Sequence, residues 1–281
     1  MAIGVGGLNN SSSLFAQNAL RLNNLMLSKT SAQLSSGNRL VSAAIDPSGI
    51  GMSANFRAQV GGISTAIQNT QDAIGLTRTA GSTLNSQMDS LIDMRNTAIR
   101  SANDATMTSA DQAKLDAQFQ AQNTELTRSG EASTFNTKQL TSAVNPYGTQ
   151  QVQSTPDNNP AANNAVTINP STAATLGTSD DTVSTTAGAQ TAISEVDKAI
   201  QNVSNQQASL GVQERVMQYR INDLEAQKIA SAEANSRIAD TDFAKAASDY
   251  NKGLLLNKVG ISMLAKANMQ GAGLVGKLLG F

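Results

Sequence analysis

Proline is missing from residues 48–145 and again from 171–281, and both stretches place apolar side chains in alternating steps of four and three. In the first, Phe56, Val60, Ile63, Ile67, Thr70, Ile74, Thr77, Gly81, Leu84, Met88, Leu91 and Ala98 follow this step, with Arg95 off the pattern. In the second, Ile193, Val196, Ile200, Val203, Gln207, Leu210, Glu214, Met217, Ile221 and Leu224 repeat it. Phe243, Ala247, Tyr250, Leu254, Asn257, Ile261, Leu264, Asn268, Gly271, Val275 and Leu278 repeat it once more, and Leu20, Leu27 and Leu34 recur every seventh residue. Side chains spaced this way share one helix face, and over several heptads they commit the chain to coiled-coil seams. A shorter helix is expected after Ser109, with Leu115, Phe119, Gln122 and Leu126 on one face and Thr108 with Asp111 closing its start.

Pro146, Pro156, Pro160 and Pro170 crowd a middle segment, 141–189, rich in Asn, Ser, Thr, Gly and Ala, which reads as hairpin and loop. Pro47, in IDPSGIGMS, marks a turn that ends whatever precedes it. The expected fold is mainly α: a long antiparallel coiled-coil or helical bundle, built from paired N- and C-terminal halves, with a small β-hairpin and loop region between them. Aromatics are 3% of the chain and Trp is absent, which suits thin aliphatic seams better than a thick globular core.

The two ends resemble each other chemically. Neither residues 1–45 nor 250–281 contain Asp or Glu. A helix exposed on a soluble monomer normally carries charge on its outer face. Terminal helices without one are expected to be covered on several sides inside an assembly.

Enzymatic readings find little support. The chain has no His and no Cys, so the commonest general base, the commonest metal ligand and all thiol chemistry are missing. A net charge of −1 favours neither nucleic acid nor an anionic membrane, and no segment has the apolar length of a membrane span. The N-terminus lacks the apolar core of a secretory signal peptide. GAGLVGKL at 271–278 approaches a phosphate-binding loop, yet Leu278 stands where the Mg²⁺-binding hydroxyl belongs and no strand precedes it. Asp240 and Asp242 read as helix-capping acids rather than a metal pair. The helical methionines read as seam fillers. Asn9, Asn10 and Asn202 begin formal glycosylation sequons that matter only in a eukaryotic secretory setting. No cofactor and no catalytic or metal residue is assigned.

Several ordered motifs resemble bacterial flagellins. LSSGNRLVSAAIDPSGIGMS (34–53) is similar to the family's N-terminal signature through Leu34, Ser36, Gly37, Arg39, Ser42, Ala43, Asp46 and Gly49, departing at Ile45, where a second acid is usual. LIDMRNTAIRSAN (91–103) resembles a second motif through Leu91, Arg95, Ala98, Ala102 and Asn103, and STFNTKQL (133–140) the segment after it. NSRIADTDFA (235–244) and GISMLAKAN (260–268) match the C-terminal region, and GLVGKLLGF resembles the family's ending without its usual upstream proline.

This resemblance implies a structural subunit that polymerises with itself into the extracellular flagellar filament for swimming, exported unfolded through the flagellar type III system. It implies an inner coiled-coil domain from 1–45 and 240–281, a helical domain from 46–140 and 190–239, and an outermost region at 141–189. The expected assembly seams are Leu20, Leu27, Leu34, Phe243, Tyr250, Leu254, Ile261, Leu264 and Leu278. Expected partners are an export chaperone, the filament cap and hook-associated proteins, with no nucleic acid and no membrane insertion. The alternative is a hook–filament junction protein, which resembles flagellin at both ends. Many flagellins engage a Toll-like receptor through the second motif; here Asp93, Asn96 and Thr97 replace its usual arginine, glutamate and leucine, leaving Arg95, so weak or absent receptor activation is expected.

Overall fold

The structure is a computed structural model that describes residues 11–157, 159 and 163–279, with side chains described up to residue 269. In chain order its elements are α1 (Ser11–Ser36), α2 (Pro47–Ser101), α3 (Ser109–Ala132), β1 (Thr134–Phe135), β2 (Lys138–Gln139), β3 (Gly148–Val152), β4 (Asn164–Ile168), α4 (Ala173–Leu176), α5 (Thr186–Ala239) and α6 (Phe243–Leu279). The fold is mainly α, with two small antiparallel two-stranded sheets in the middle of the chain. It divides into two compact units, one from residues 11–58 with 230–279, the other from residues 59–229.

Heptads build the core of the 59–229 unit. On α2, Ile63, Thr70, Thr77, Leu84, Leu91 and Ala98 are buried at every seventh residue; on α5, Ala189, Val196, Val203, Leu210, Met217 and Leu224 are as well. Thr70 and Thr77 tolerate core positions because each hydroxyl donates to a carbonyl one turn back, Ala66 at 2.7 Å and Ala73 at 2.9 Å. Helix α3 adds Leu115, Phe119 and Leu126. It begins as its sequence implies: Thr108 caps it, accepting from the Asp111 amide and donating its hydroxyl to the Asp111 carboxylate. Its inner face departs from the expected one, since Asn123 rather than Gln122 is buried. The Asn123 side chain donates to the Thr178 carbonyl and accepts from the Thr178 hydroxyl at 2.9 Å, and that pairing lets an amide replace an apolar residue.

Composition hides how firmly the polar middle packs. β1 and β2 are joined by Asn136 and Thr137, both at positive φ, the backbone of a tight hairpin turn. β3 and β4 pair from Gly148 opposite Ile168 to Val152 opposite Asn164. Val166 and Ile168 of β4, Leu176 of α4 and Val183 join the main hydrophobic cluster. Thr141 donates to the Gly130 carbonyl at 2.8 Å, Ser171 N–H to the Thr141 carbonyl at 2.9 Å, and Gln87 to the Ser171 carbonyl at 2.7 Å. Hydrogen bonds to backbone carbonyls thus tie this segment to α2 and α3, so a stretch poor in large apolar side chains is still fixed.

Candidate assembly surface

Within the 11–58/230–279 unit, α1 and α6 pack along a seam in strict heptads. On α1 the covered positions are Ser13, Ala16, Leu20, Asn23, Leu27, Thr30 and Leu34; on α6 they are Ala246, Tyr250, Gly253, Asn257, Gly260, Leu264 and Ala267. Four of these seven α6 residues, Ala246, Gly253, Gly260 and Ala267, are small. A Cβ added to Gly253 would stand 2.8 Å from Leu27 Cδ1, and one on Gly260 2.7 Å from Leu20 Cδ2. The two leucines therefore seat against bare backbone, which glycine alone permits at this distance. Polar contacts fix the register: Ser13 donates to Asn268 at 2.8 Å, Asn23 to the Gly253 carbonyl at 2.8 Å, and Asn257 to Asn24.

Of the residues expected to form seams, Leu20, Leu27, Leu34, Tyr250 and Leu264 lie half-buried in this pair. Phe243, Leu254 and Ile261 do not, being 56%, 40% and 57% exposed. In the single chain the close approach of α6 to α1 is made instead by small residues next to Leu254 and Ile261. Ala246, Gly253, Gly260 and Ala267, one every seven residues, face α1, and Leu254 and Ile261 beside the two glycines are exposed. The Leu278 side chain and the 271–278 segment lie outside the described side chains, as do Asn9 and Asn10.

What the pair leaves uncovered is strongly apolar. Leu14, Phe15, Leu22, Leu25 and Met26 of α1 are exposed, and so are Leu255, Leu256, Val259, Ile261, Met263 and Met269 of α6. A groove between the helices is lined by Phe15, Ala16, Ala19, Leu256, Val259 and Met263. Contiguous apolar exposure on this scale marks an interaction surface.

The motif residues at the base of the pair join the ends of the chain. Gly37, at φ +68°, closes α1 with its amide on the Gln33 carbonyl at 2.9 Å. Asn38 pairs with Asp240 as an antiparallel bridge, flanked by Arg39 N–H to Ala239 and Thr241 N–H to Gly37. The Arg39 guanidinium donates twice to the Ile238 carbonyl, at 3.1 and 2.6 Å, at the C-terminal end of α5. Asp46 caps α2: its carboxylate accepts from the Gly49 amide at 2.8 Å and from Ser48 at 2.9 Å, and those two bonds hold it below the usual carboxylate range. A side chain on residue 49 would collide with that carboxylate. Asp242 caps α6 through the Lys245 amide at 3.0 Å, and Asp240 accepts from Ser236.

In the second motif, Asp93 and Asn96 are exposed on α2, while Thr97 is buried and donates to the Asp93 carbonyl at 3.0 Å. Arg95 donates to Asp197 of α5 at 2.6 Å; that hydrogen bond, then the carboxylate's charge, raises its pKa. Among the described residues no group of acids is arranged to hold a metal ion, and no helix is long and apolar enough to cross a membrane.

Paired termini, heptad seams and an uncovered apolar face define a coiled-coil structural protein of the self-associating kind. Comparison with known proteins gives the family. Residues 8–146 match the bacterial flagellin N-terminal helical region and residues 193–275 the bacterial flagellin C-terminal helical region. A flagellar filament core protein of Brachyspira hyodysenteriae is 32% identical over 94% of this chain and 96% of its own. Flagellins of Halalkalibacterium halodurans and Bacillus subtilis are 31% and 30% identical, over 86% and 93% of this chain and 88% and 95% of theirs. The crystal structure of Bacillus cereus flagellin aligns with 59% of this chain and 94% of its own, at 27% identity and a TM-score of 0.48. The chain therefore belongs to the bacterial flagellin family: it is a structural subunit of the extracellular flagellar filament and not an enzyme.

Proposed function

We propose that the filament grows by covering the outward apolar faces of α1 and α6 with the same faces of neighbouring subunits. The observation that carries this reading is the row Leu255, Val259 and Met263, exposed on a helix whose last acid is Asp249. Burying a large aliphatic side chain contributes roughly 1.5–3 kcal/mol, while ordering each residue costs about 1–2 kcal/mol in backbone entropy. A single glycine-lined seam is marginal by that measure, and several neighbours shift the balance toward order. Residues 1–45 and 240–281 then form the inner layer, 46–140 with 190–239 the helical layer outside it, and 141–189 the outermost surface. The family reading adds export in an unfolded state, a chaperone before export, and contacts with the cap and hook-associated proteins. A chain without cysteine suits such threading, since no disulfide can lock it part-way. Relatives that are flagellins and filament core proteins do not favour the junction-protein alternative.

Seeding with sheared filaments tests the proposal. The full-length chain is expected to elongate the seeds and a chain of residues 46–240 to leave them unchanged under negative stain. Elongation by the truncated chain would refute it.

The receptor expectation becomes a proposal on the same footing. With Asp93 and Asn96 exposed, Thr97 buried and Arg95 engaged by Asp197, this face of α2 presents little positive charge. Potency in a Toll-like receptor reporter cell is expected to fall well below that of an enteric flagellin; equal potency would sink the idea.

A further inference from the structure

The chain has no cysteine, so methionine supplies all of its sulfur. Among the described methionines, Met88 and Met107 are partly buried against the core of the 59–229 unit, and the other six divide sharply. Met94 and Met217 are buried in the core of the 59–229 unit. Met26, Met52, Met263 and Met269 are 47%, 51%, 58% and 74% exposed. Met26 continues the α1 row Phe15–Leu22, and Met263 the α6 row Leu255–Val259, with the Met263 side chain also lining the groove. Thioethers are thus placed in the faces assigned above to subunit contact.

We infer that Met26 and Met263 are oxidation sites through which a peroxide-class oxidant blocks assembly of the free subunit. This rests on the assembly reading above. In the reaction a thioether lone pair attacks one peroxide oxygen. The S–O bond forms as the O–O bond breaks, the departing hydroxide takes the remaining proton as water, and sulfur is oxidised by two electrons. The product is a sulfoxide, a polar and chiral group where a flexible apolar one stood. Set into a seam without a donor to meet it, the sulfoxide oxygen opposes burial. Met94 and Met217, shielded in the core, are spared, so the subunit stays folded while its contact faces change. Once the subunit is in a filament, neighbours shield Met26 and Met263 in turn. The device therefore acts before incorporation rather than after it.

The test treats free full-length subunit and sheared filaments with hydrogen peroxide and maps sulfoxides by peptide mass spectrometry. In the free subunit Met26, Met52, Met263 and Met269 are expected to oxidise well before Met94 and Met217. Seeded elongation is expected to slow by about tenfold or more and to recover after methionine sulfoxide reductases of both epimer specificities. A Met26→Leu/Met263→Leu subunit is expected to keep most of its own untreated elongation rate after peroxide, whatever that rate is, where the parent loses most of its own. Unchanged elongation by a subunit fully oxidised at both positions would overturn the inference, as would a double variant that stays equally sensitive. Equal oxidation of Met26 and Met263 in free subunit and filament would instead remove the assembly reading on which it rests.

Discussion

Purified subunits carrying Leu255→Lys and Ile261→Lys are expected to fail to elongate filament seeds while keeping the parent unfolding transition of the 59–229 unit. Both side chains lie outside the heptad set that α6 packs against α1 and are exposed in the single chain. Neither belongs to the heptad set centred on Gly253, Asn257 and Gly260, so the pairing of the two helices is expected to persist. In a polymer that covers this face, each lost aliphatic side chain removes roughly 1.5–3 kcal/mol of favourable transfer. Each introduced ammonium that is driven out of water without a partner adds several kcal/mol more. The N- and C-terminal acid-free segments offer no carboxylate to pair with it. Together the pair of changes is worth about 5 kcal/mol or more, a slowing on the order of 10³. Light scattering of seeded mixtures measures growth, and thermal circular dichroism reports the fold. Leu255→Met with Ile261→Val, which keeps the surface apolar, is expected to grow near the parent rate. Parent-rate growth of the lysine variant would show that this face is not the contact surface.

Much of this architecture was legible in the order of residues, for a physical reason. Heptad spacing is a direct geometric statement, and Ile63, Leu84, Leu91, Val196, Val203, Leu210 and Leu224 lie buried at the positions their spacing implies. Helix ends are similarly local, so Thr108, Asp46 and Asp242 act at short range as capping chemistry predicts. The terminal seam was harder. Large apolar side chains point to Leu254 and Ile261 as assembly contacts, whereas the close approach of α1 and α6 within the chain runs through Gly253 and Gly260. A repeat of Ala246, Gly253, Gly260 and Ala267 was present as a signal, but small residues carry no hydropathy and escape a search for apolar stripes. The packing of 141–189 escaped for a related reason. Val166, Ile168 and Val183 are few, and the remaining order depends on partners such as Gln87 and Asn123, distant in sequence. Polar pairing between remote residues leaves no period to read.

Small residues also give the second prediction, in which one substitution type changes sign with its surroundings. Gly130→Ala and Gly188→Ala combined are expected to lower the unfolding free energy by about 3 kcal/mol, and Gly211→Ala to raise it by up to about 1 kcal/mol. At Gly130 an added Cβ would stand 2.9 Å from the Ser171 carbonyl oxygen and 3.2 Å from Gln87 Nε2. That carbonyl accepts the Gln87 hydrogen bond at 2.7 Å, in a fully buried setting, and displacing it strands a buried donor. At Gly188 the Cβ would fall 2.6 Å from the Thr182 carbonyl oxygen. Thr182 cannot easily retreat, because its hydroxyl and the next amide, Val183 N–H, both donate to Asp116, at 2.8 and 2.7 Å. Gly211 sits exposed inside α5, and beyond its chain neighbours and the local helix backbone no heavy atom lies within 4 Å of where a Cβ would stand. There alanine only removes the conformational freedom that glycine must lose on entering a helix. Urea unfolding of the unpolymerised subunit separates the cases. A loss under 1 kcal/mol for the combined variant would mean that the contacts at Ser171 and Thr182 yield, and that the middle of the chain is packed less tightly than its hydrogen bonds imply.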